Sequence, residues 1–153
     1  MIKLKGLAVM LGWMLLAPPG LAAPICVVDD LEVEVCLDQP AKRIATLSPG
    51  ATELAFAAGA GDKVVAVVNY SDYPEAALKL PLVGNHTRID LEALLALKPD
   101  LVITWRTGNP PAQMEMLRAL GLPMFAIEPR TFEGVSKVIE QLSTLAGTEQ
   151  EGF

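Results

Sequence analysis

The chain holds one histidine, His86, and two cysteines, Cys26 and Cys36. These are too few nitrogen and sulfur donors for a metal-specific site built from several such ligands. One histidine also leaves little from which to build a nucleophile–base pair, and no Gly-x-Ser-x-Gly stretch occurs. No Gly-x-Gly-x-x-Gly follows the first strand-like run and there is no P-loop, so a nucleotide site is not indicated. Basic charge is short too: 12 Lys and Arg stand against 18 Asp and Glu, a net −6. Nucleic acid requires a basic face, and no basic stripe or long charge run is present. Aromatic residues make up only 5% of the chain, so Tyr70, Tyr73 and Trp105 stand out where they fall. Neither an enzyme, a resident cofactor nor a metal centre is expected from this inventory.

The N-terminus indicates a compartment. Lys3 and Lys5 precede an apolar run from Leu7 to Ala17, and Pro18, Pro19, Gly20 and small residues to Ala23 follow. A basic start, a short apolar centre and a small-residue end make a secretory signal peptide over residues 1–22, cleaved after Ala22 or, second, after Ala23. The competing reading is an uncleaved membrane anchor, but the run falls short of the ~20 residues a spanning helix needs. Cys26 lies too far on for a lipid-anchored form. Removing residues 1–22 takes away two lysines and no acid, so −6 becomes −8. The remaining stretch of about 130 residues suffices for one domain with its own core.

Cys26 and Cys36 sit in ICVV and EVEVC, which alternate like strands around the turn formers Asp29-Asp30. Both lie five positions from residue 31, so a simple hairpin over residues 23–40 places them face to face, close enough for a disulfide. An exported chain meets the oxidising conditions such a bond needs. A redox or metal pair is the alternative, although the spacing is not Cys-x-x-Cys.

After Pro40 a β/α rhythm begins. Strands are predicted over 44–48, 64–68, 101–105 and 124–127. Helices are predicted over 50–58, 90–97, 110–120 and from Thr131 to near Gly147. The stretch from Tyr70 to Arg88 has no clear period. Strands alternating with helices predict an α/β fold, a Rossmann-like parallel sheet flanked by helices and preceded by the hairpin. Thr148-Glu-Gln-Glu151 has the spacing of a capping box, so a helix is expected to start over 148–153 and to be cut off by the end of the sequence. A frayed polar tail is the plainer reading of the same residues.

Three blocks gather at strand ends: TLSPGATELAFAAG at 46–59, YSDYP at 70–74 and LEALLALKPDLVITWRTGN at 91–109. Ligands of open α/β sheets bind at the carboxyl ends of strands, which is where Ser48-Pro49 and Trp105-Arg106 fall. On these motifs, over about residues 42–147, the chain resembles the N-terminal half of the periplasmic cobalamin-binding proteins. That group lies within the class of substrate-binding proteins for iron-siderophores, haem and cobalamin, and YSDYP and LxALKPDLVIxWRxGN favour its cobalamin members. The resemblance implies a two-lobe protein joined by one long helix, with ligand between the lobes and delivery to an inner-membrane ABC importer. Residues 41–147 would be the N-terminal lobe and 148–153 the start of the connecting helix.

Carried over position by position, the resemblance places ligand against Ser48, Pro49, Tyr70 and Trp105, with Arg106, Gly108 and Asn109 nearby. Close relatives carry tryptophan where this chain has His86, a departure at a ligand-facing position; approach of the imidazole to the cobalt is one reading of it, and a solvated loop histidine is the plainer one. Glu92 matches the glutamate that family members dock against permease arginines; the plain alternative is an ordinary solvated helix residue. A siderophore or haem is the rival ligand within the class. A small secreted α/β enzyme with an unrecognised site is the rival outside it.

Overall fold

The computed structural model describes residues 23–150. The signal-peptide reading of residues 1–22 and the glutamate of the Thr148–Glu151 motif lie outside them.

The chain opens with the predicted hairpin. Strands β1 (Ile25–Val28) and β2 (Glu34–Leu37) pair antiparallel, with Cys26 opposite Cys36. The two sulfurs are bonded at 2.07 Å, and the Cα atoms lie 4.1 Å apart, the short spacing of a non-hydrogen-bonded pair. The hairpin tip is anchored by its aspartates. Asp29 is buried and accepts from the Leu31 and Val33 amides across its own turn, while its second oxygen accepts from the Ala126 amide.

Strand β3 (Ile44–Thr46) then leads into helix α1 (Pro49–Ala57). Ser48 caps that helix by accepting from the Ala51 amide at 3.1 Å, and Pro49 occupies the first helical turn, where no amide is missed. Strand β4 (Val64–Ala66) follows. It is shorter than the predicted 64–68 because its partner changes: Val67 and Asn69 bond to Pro81 and Gly84 instead of to β3. The stretch without a period contains a 3-10 turn over Glu75–Lys79 and a two-residue hairpin, β5 (Gly84–Asn85) and β6 (Arg88–Ile89). Elements this short leave no periodic signal to read. Helix α2 (Leu91–Ala96), strand β7 (Leu101–Trp105), helix α3 (Pro111–Ala119), strand β8 (Met124–Ile127) and helix α4 (Phe132–Ala146) complete the alternation.

The four longer-range strands form one parallel sheet in the order β4-β3-β7-β8. Because successive side chains point to opposite faces, each strand feeds two cores. Ile44, Leu101, Ile103, Phe125 and Ile127 pack with α1, α4 and the hairpin residues Val35 and Leu37. Ala45, Leu47, Ala66 and Val102 pack on the other face with Leu94 of α2 and Leu117 of α3. Phe125 is fully buried, and truncating such a side chain to alanine costs about 3–5 kcal/mol.

Helix α4 ends as predicted at Gly147, whose φ of +66° suits the left-handed position beyond a helix. The expected helix start over 148–153 runs into residues 151–153, which lie outside those described. Glu149 and Gln150 form a turn, and the buried Thr148 hydroxyl donates to the Ala58 carbonyl at 2.5 Å.

Candidate functional site

The sheet order sets the site. After β3 the chain moves outward to β4, then returns to lay β7 on the other side of β3. The point where the order reverses is the crevice between the carboxyl ends of β3 and β7, the position ligands prefer in open α/β sheets. An open concavity of about 420 Å³ lies there, lined by Ser48, Pro49, Gly50, Leu54, Tyr70, His86, Trp105, Ile127 and Pro129. Its surface is mostly hydrocarbon and aromatic ring, with the Ser48 and Tyr70 hydroxyls and the His86 imidazole as polar points.

Each side chain is held by a local arrangement. Ser48 is buried and already accepts a hydrogen bond as cap of α1, which leaves its hydroxyl proton free to donate outward. Tyr70 is 79% exposed and stands on a backbone with φ of +69°, a region unusual for a residue with a side chain. Its loop is tied down next door. Thr46, Thr52 and Ser71 form a buried chain of hydroxyls, 2.7 Å from Thr46 to Thr52 and 3.1 Å from Thr52 to Ser71, linking β3, α1 and the tyrosine loop. Backbone strain held by such surroundings is characteristic of binding segments.

Trp105 lies across Gly108. A Cβ at residue 108 would fall 1.8 Å from a ring carbon of the indole, so only glycine lets the ring settle there. The imidazole of His86 meets the same indole with ring centroids 5.6 Å apart, tilted by 48°.

The structure thus brings Ser48, Pro49, Tyr70, His86 and Trp105 onto one surface. Arg106, Gly108 and Asn109, expected nearby, lie beside or behind that surface and do not line it. Asn109 does not line the concavity; it is buried behind it, accepting from the Trp105 amide at 2.7 Å and donating to the Leu47 and His86 carbonyls at 2.8 and 3.0 Å. Its oxygen and both of its N–H groups are engaged in joining three segments of the rim. Arg106 turns away from the concavity toward the hairpin tip, where it donates to the Asp30 carbonyl at 3.1 Å. Gly108 sits beneath the indole. Glu92 is exposed in the first turn of α2, after the Asp90 cap, and is not among the residues lining the concavity.

Gly50, Leu54, Ile127 and Pro129 complete the lining and were not anticipated from sequence as site residues. Ile127 and Pro129 stand at the carboxyl end of β8, so the strand-end rule that singled out Ser48 and Trp105 applies to them equally. Just behind them Glu128 accepts from the Thr107 hydroxyl at 2.9 Å. That bond above all, helped by Arg130, holds its carboxyl below the ordinary range, the reverse of what a proton-donating acid needs. Donor atoms of Cys26, Glu34 and Cys36 cluster within 4.8 Å on the hairpin, but the disulfide consumes both thiols and leaves the carboxylate alone. What the geometry offers is a broad, shallow, largely apolar face with a few hydrogen-bonding points.

Comparison with known proteins agrees with that picture. Residues 44–152 match the periplasmic binding protein family. The Vitamin B12-binding protein of Vibrio cholerae is 48% identical over 113 residues, covering 74% of this chain and 41% of that relative. The crystal structure of the periplasmic vitamin B12 binding protein BtuF of Vibrio cholerae superposes with a TM-score of 0.71 over 74% of this chain and 44% of that one. The periplasmic heme-binding protein RhuT from Roseiflexus sp. RS-1, 33% identical, superposes at 0.64 over 72% of this chain and 43% of that one. The chain therefore spans less than half the length of the relatives it matches. By the family match over most of its residues, the chain belongs to the periplasmic binding protein family.

Proposed function

We propose that residues 41–147 are the N-terminal lobe of a two-lobe periplasmic protein that binds cobalamin and hands it to an inner-membrane ABC importer. Residues 23–40 brace that lobe as a disulfide-closed hairpin, and the segment from Thr148 onward leads toward the inter-lobe connection. The observation that carries the reading is the concavity at the β3–β7 switch point, in a chain 48% identical to a Vitamin B12-binding protein. A corrin is a large, flat ring, apolar on its faces and fringed with amides. Exposed Tyr70 and Trp105 offer flat contact area at small entropic cost, and the Ser48 and Tyr70 hydroxyls suit the amide fringe. Nothing in this arrangement calls for a catalytic step or a resident cofactor; cobalamin is cargo. Exposed Glu92 would meet an arginine of the permease.

The test is titration of the purified span 23–153 with cyanocobalamin, ferric haem and a ferric siderophore. Trp13 falls within the leader, so Trp105 is the sole tryptophan of that span and its quenching reports the concavity directly. One lobe supplies about half the contact of a closed cleft, and affinity is the surplus left after the costs of association. A dissociation constant above roughly 10 μM is therefore expected, under about 7 kcal/mol of binding free energy. Cyanocobalamin should bind more tightly than the other two. A preference for haem would favour the second reading, which the likeness to RhuT supports. Nanomolar binding by a monomeric span would refute the two-lobe site.

A further inference from the structure

His86 is the only imidazole in the chain, and the fold fixes its backbone from two sides. Beneath it, Asn85 Oδ1 accepts from the Thr87 amide, the Thr87 hydroxyl and the Arg88 amide at 3.0, 2.7 and 3.0 Å, closing the β5–β6 turn. Behind it, Asn109 donates to the His86 carbonyl. The ring alone keeps its freedom. It reaches half-buried into the concavity beside Trp105, and no hydrogen bond among the described residues engages either ring nitrogen. Around it the lining is hydrocarbon from Pro49, Leu54, Ile127 and Pro129, plus two neutral hydroxyls. Imidazole is a strong ligand for transition metals, whereas neutral hydroxyls are weak ones. A single nitrogen donor thus faces the surface on which a metal-centred macrocycle would lie.

We propose that His86 is an axial ligand to the metal of the bound macrocycle, so that this chain selects corrinoids whose cobalt carries an exchangeable axial group. The inference rests on the cobalamin reading above and adds a selection rule to it. In the step, a ring-nitrogen lone pair forms a cobalt–nitrogen bond as the cobalt–water bond of aquocobalamin breaks. The water leaves to solvent and cobalt keeps its oxidation state. Cyanocobalamin, whose axial position is held by cyanide, does not undergo the exchange. The pinned turn fixes the backbone that carries the donor, so only the rotation of the ring remains to be ordered when the bond forms.

The experiment titrates the purified chain with aquocobalamin and with cyanocobalamin, reading dissociation constants and absorption spectra together. Aquocobalamin should bind about tenfold more tightly or better, ~1.4 kcal/mol, with its main band displaced in the direction that free imidazole displaces it. The cyanocobalamin spectrum should not change. In His86→Ala, and in His86→Trp as a second variant that restores a ring, the ratio of the two constants should fall to about one and the band displacement should vanish. An aquocobalamin spectrum that stays put on binding, or a displacement that survives in both variants, overturns axial ligation while leaving the cobalamin reading standing. Absence of binding by both forms to the unmodified chain overturns the two together.

Discussion

Replacing Asn109 by alanine removes one acceptor and two donors from the centre of the site's scaffold. The Trp105 amide, the Leu47 carbonyl and the His86 carbonyl each lose a partner at 2.7, 2.8 and 3.0 Å. A hydrogen bond is worth about 1 kcal/mol net, but a buried group left without a partner costs about 1–3 kcal/mol. Leu47 is fully buried, so its carbonyl falls at the upper end. Trp105 and His86 stand nearer solvent, and water recovers part of their loss. The sum is a destabilisation of roughly 3–4 kcal/mol, a large share of the 5–15 kcal/mol typical of a domain, so the variant should still fold. Asn109→Asp sharpens the test. Its carboxylate still accepts from the Trp105 amide but turns both donations into oxygen–oxygen repulsion in a buried place. It should be at least as unstable as the alanine variant at neutral pH. Its burial and the facing carbonyls disfavour the charged form and raise the acid's folded pKa, so the penalty should shrink as pH falls and the acid takes up a proton. Urea denaturation followed by far-UV circular dichroism measures the stabilities, and the near-UV band of Trp105 reports the rim. An alanine variant within about 1 kcal/mol of the parent would refute the scaffold role, as would an aspartate variant more stable than the alanine one.

Reducing the Cys26–Cys36 bond, which closes a loop of sequence separation 10, should lower stability by about 2–3 kcal/mol. Mass spectrometry of the non-reduced protein should show two hydrogens fewer than the reduced form, and two alkylatable thiols would contradict the pairing. Gly108→Ala should leave overall stability nearly unchanged, since the half-exposed indole can swing outward. It should weaken cobalamin binding about tenfold or more by removing the seat of Trp105, as titration with the ligand would measure. Glu92→Arg should weaken association with the importer through like-charge repulsion while the thermal unfolding curve is unchanged; unaltered transporter affinity would count against a docking role.

The α/β alternation was readable because its signals are local. Each long helix has its capping side chain or proline at one end, and Gly147 closes the last at the other. The cysteine pairing was readable for a similar reason, since two positions symmetric about an Asp-Asp turn must meet if the hairpin forms. Residues 75–89 were not readable, because turns and two-residue strands are held by contacts with Val67 and Asn69, just past β4, and with Gln113 of α3, and not by their own pattern. The site divides along the same line. Position at a strand's carboxyl end is a topological property, and it correctly gathered Ser48 and Trp105 on one surface. Which way a side chain faces there depends on the backbone groups that lack partners nearby. Asn109 was placed near the ligand by the family resemblance, position by position, and not by a local signal of its own. It belongs to the scaffold because two carbonyls, 62 and 23 residues away in sequence, have no helix or strand partner of their own at that junction. An amide that satisfies three segments at once has both of its N–H groups already engaged. The rings beside it are free to face outward because that amide is committed inward.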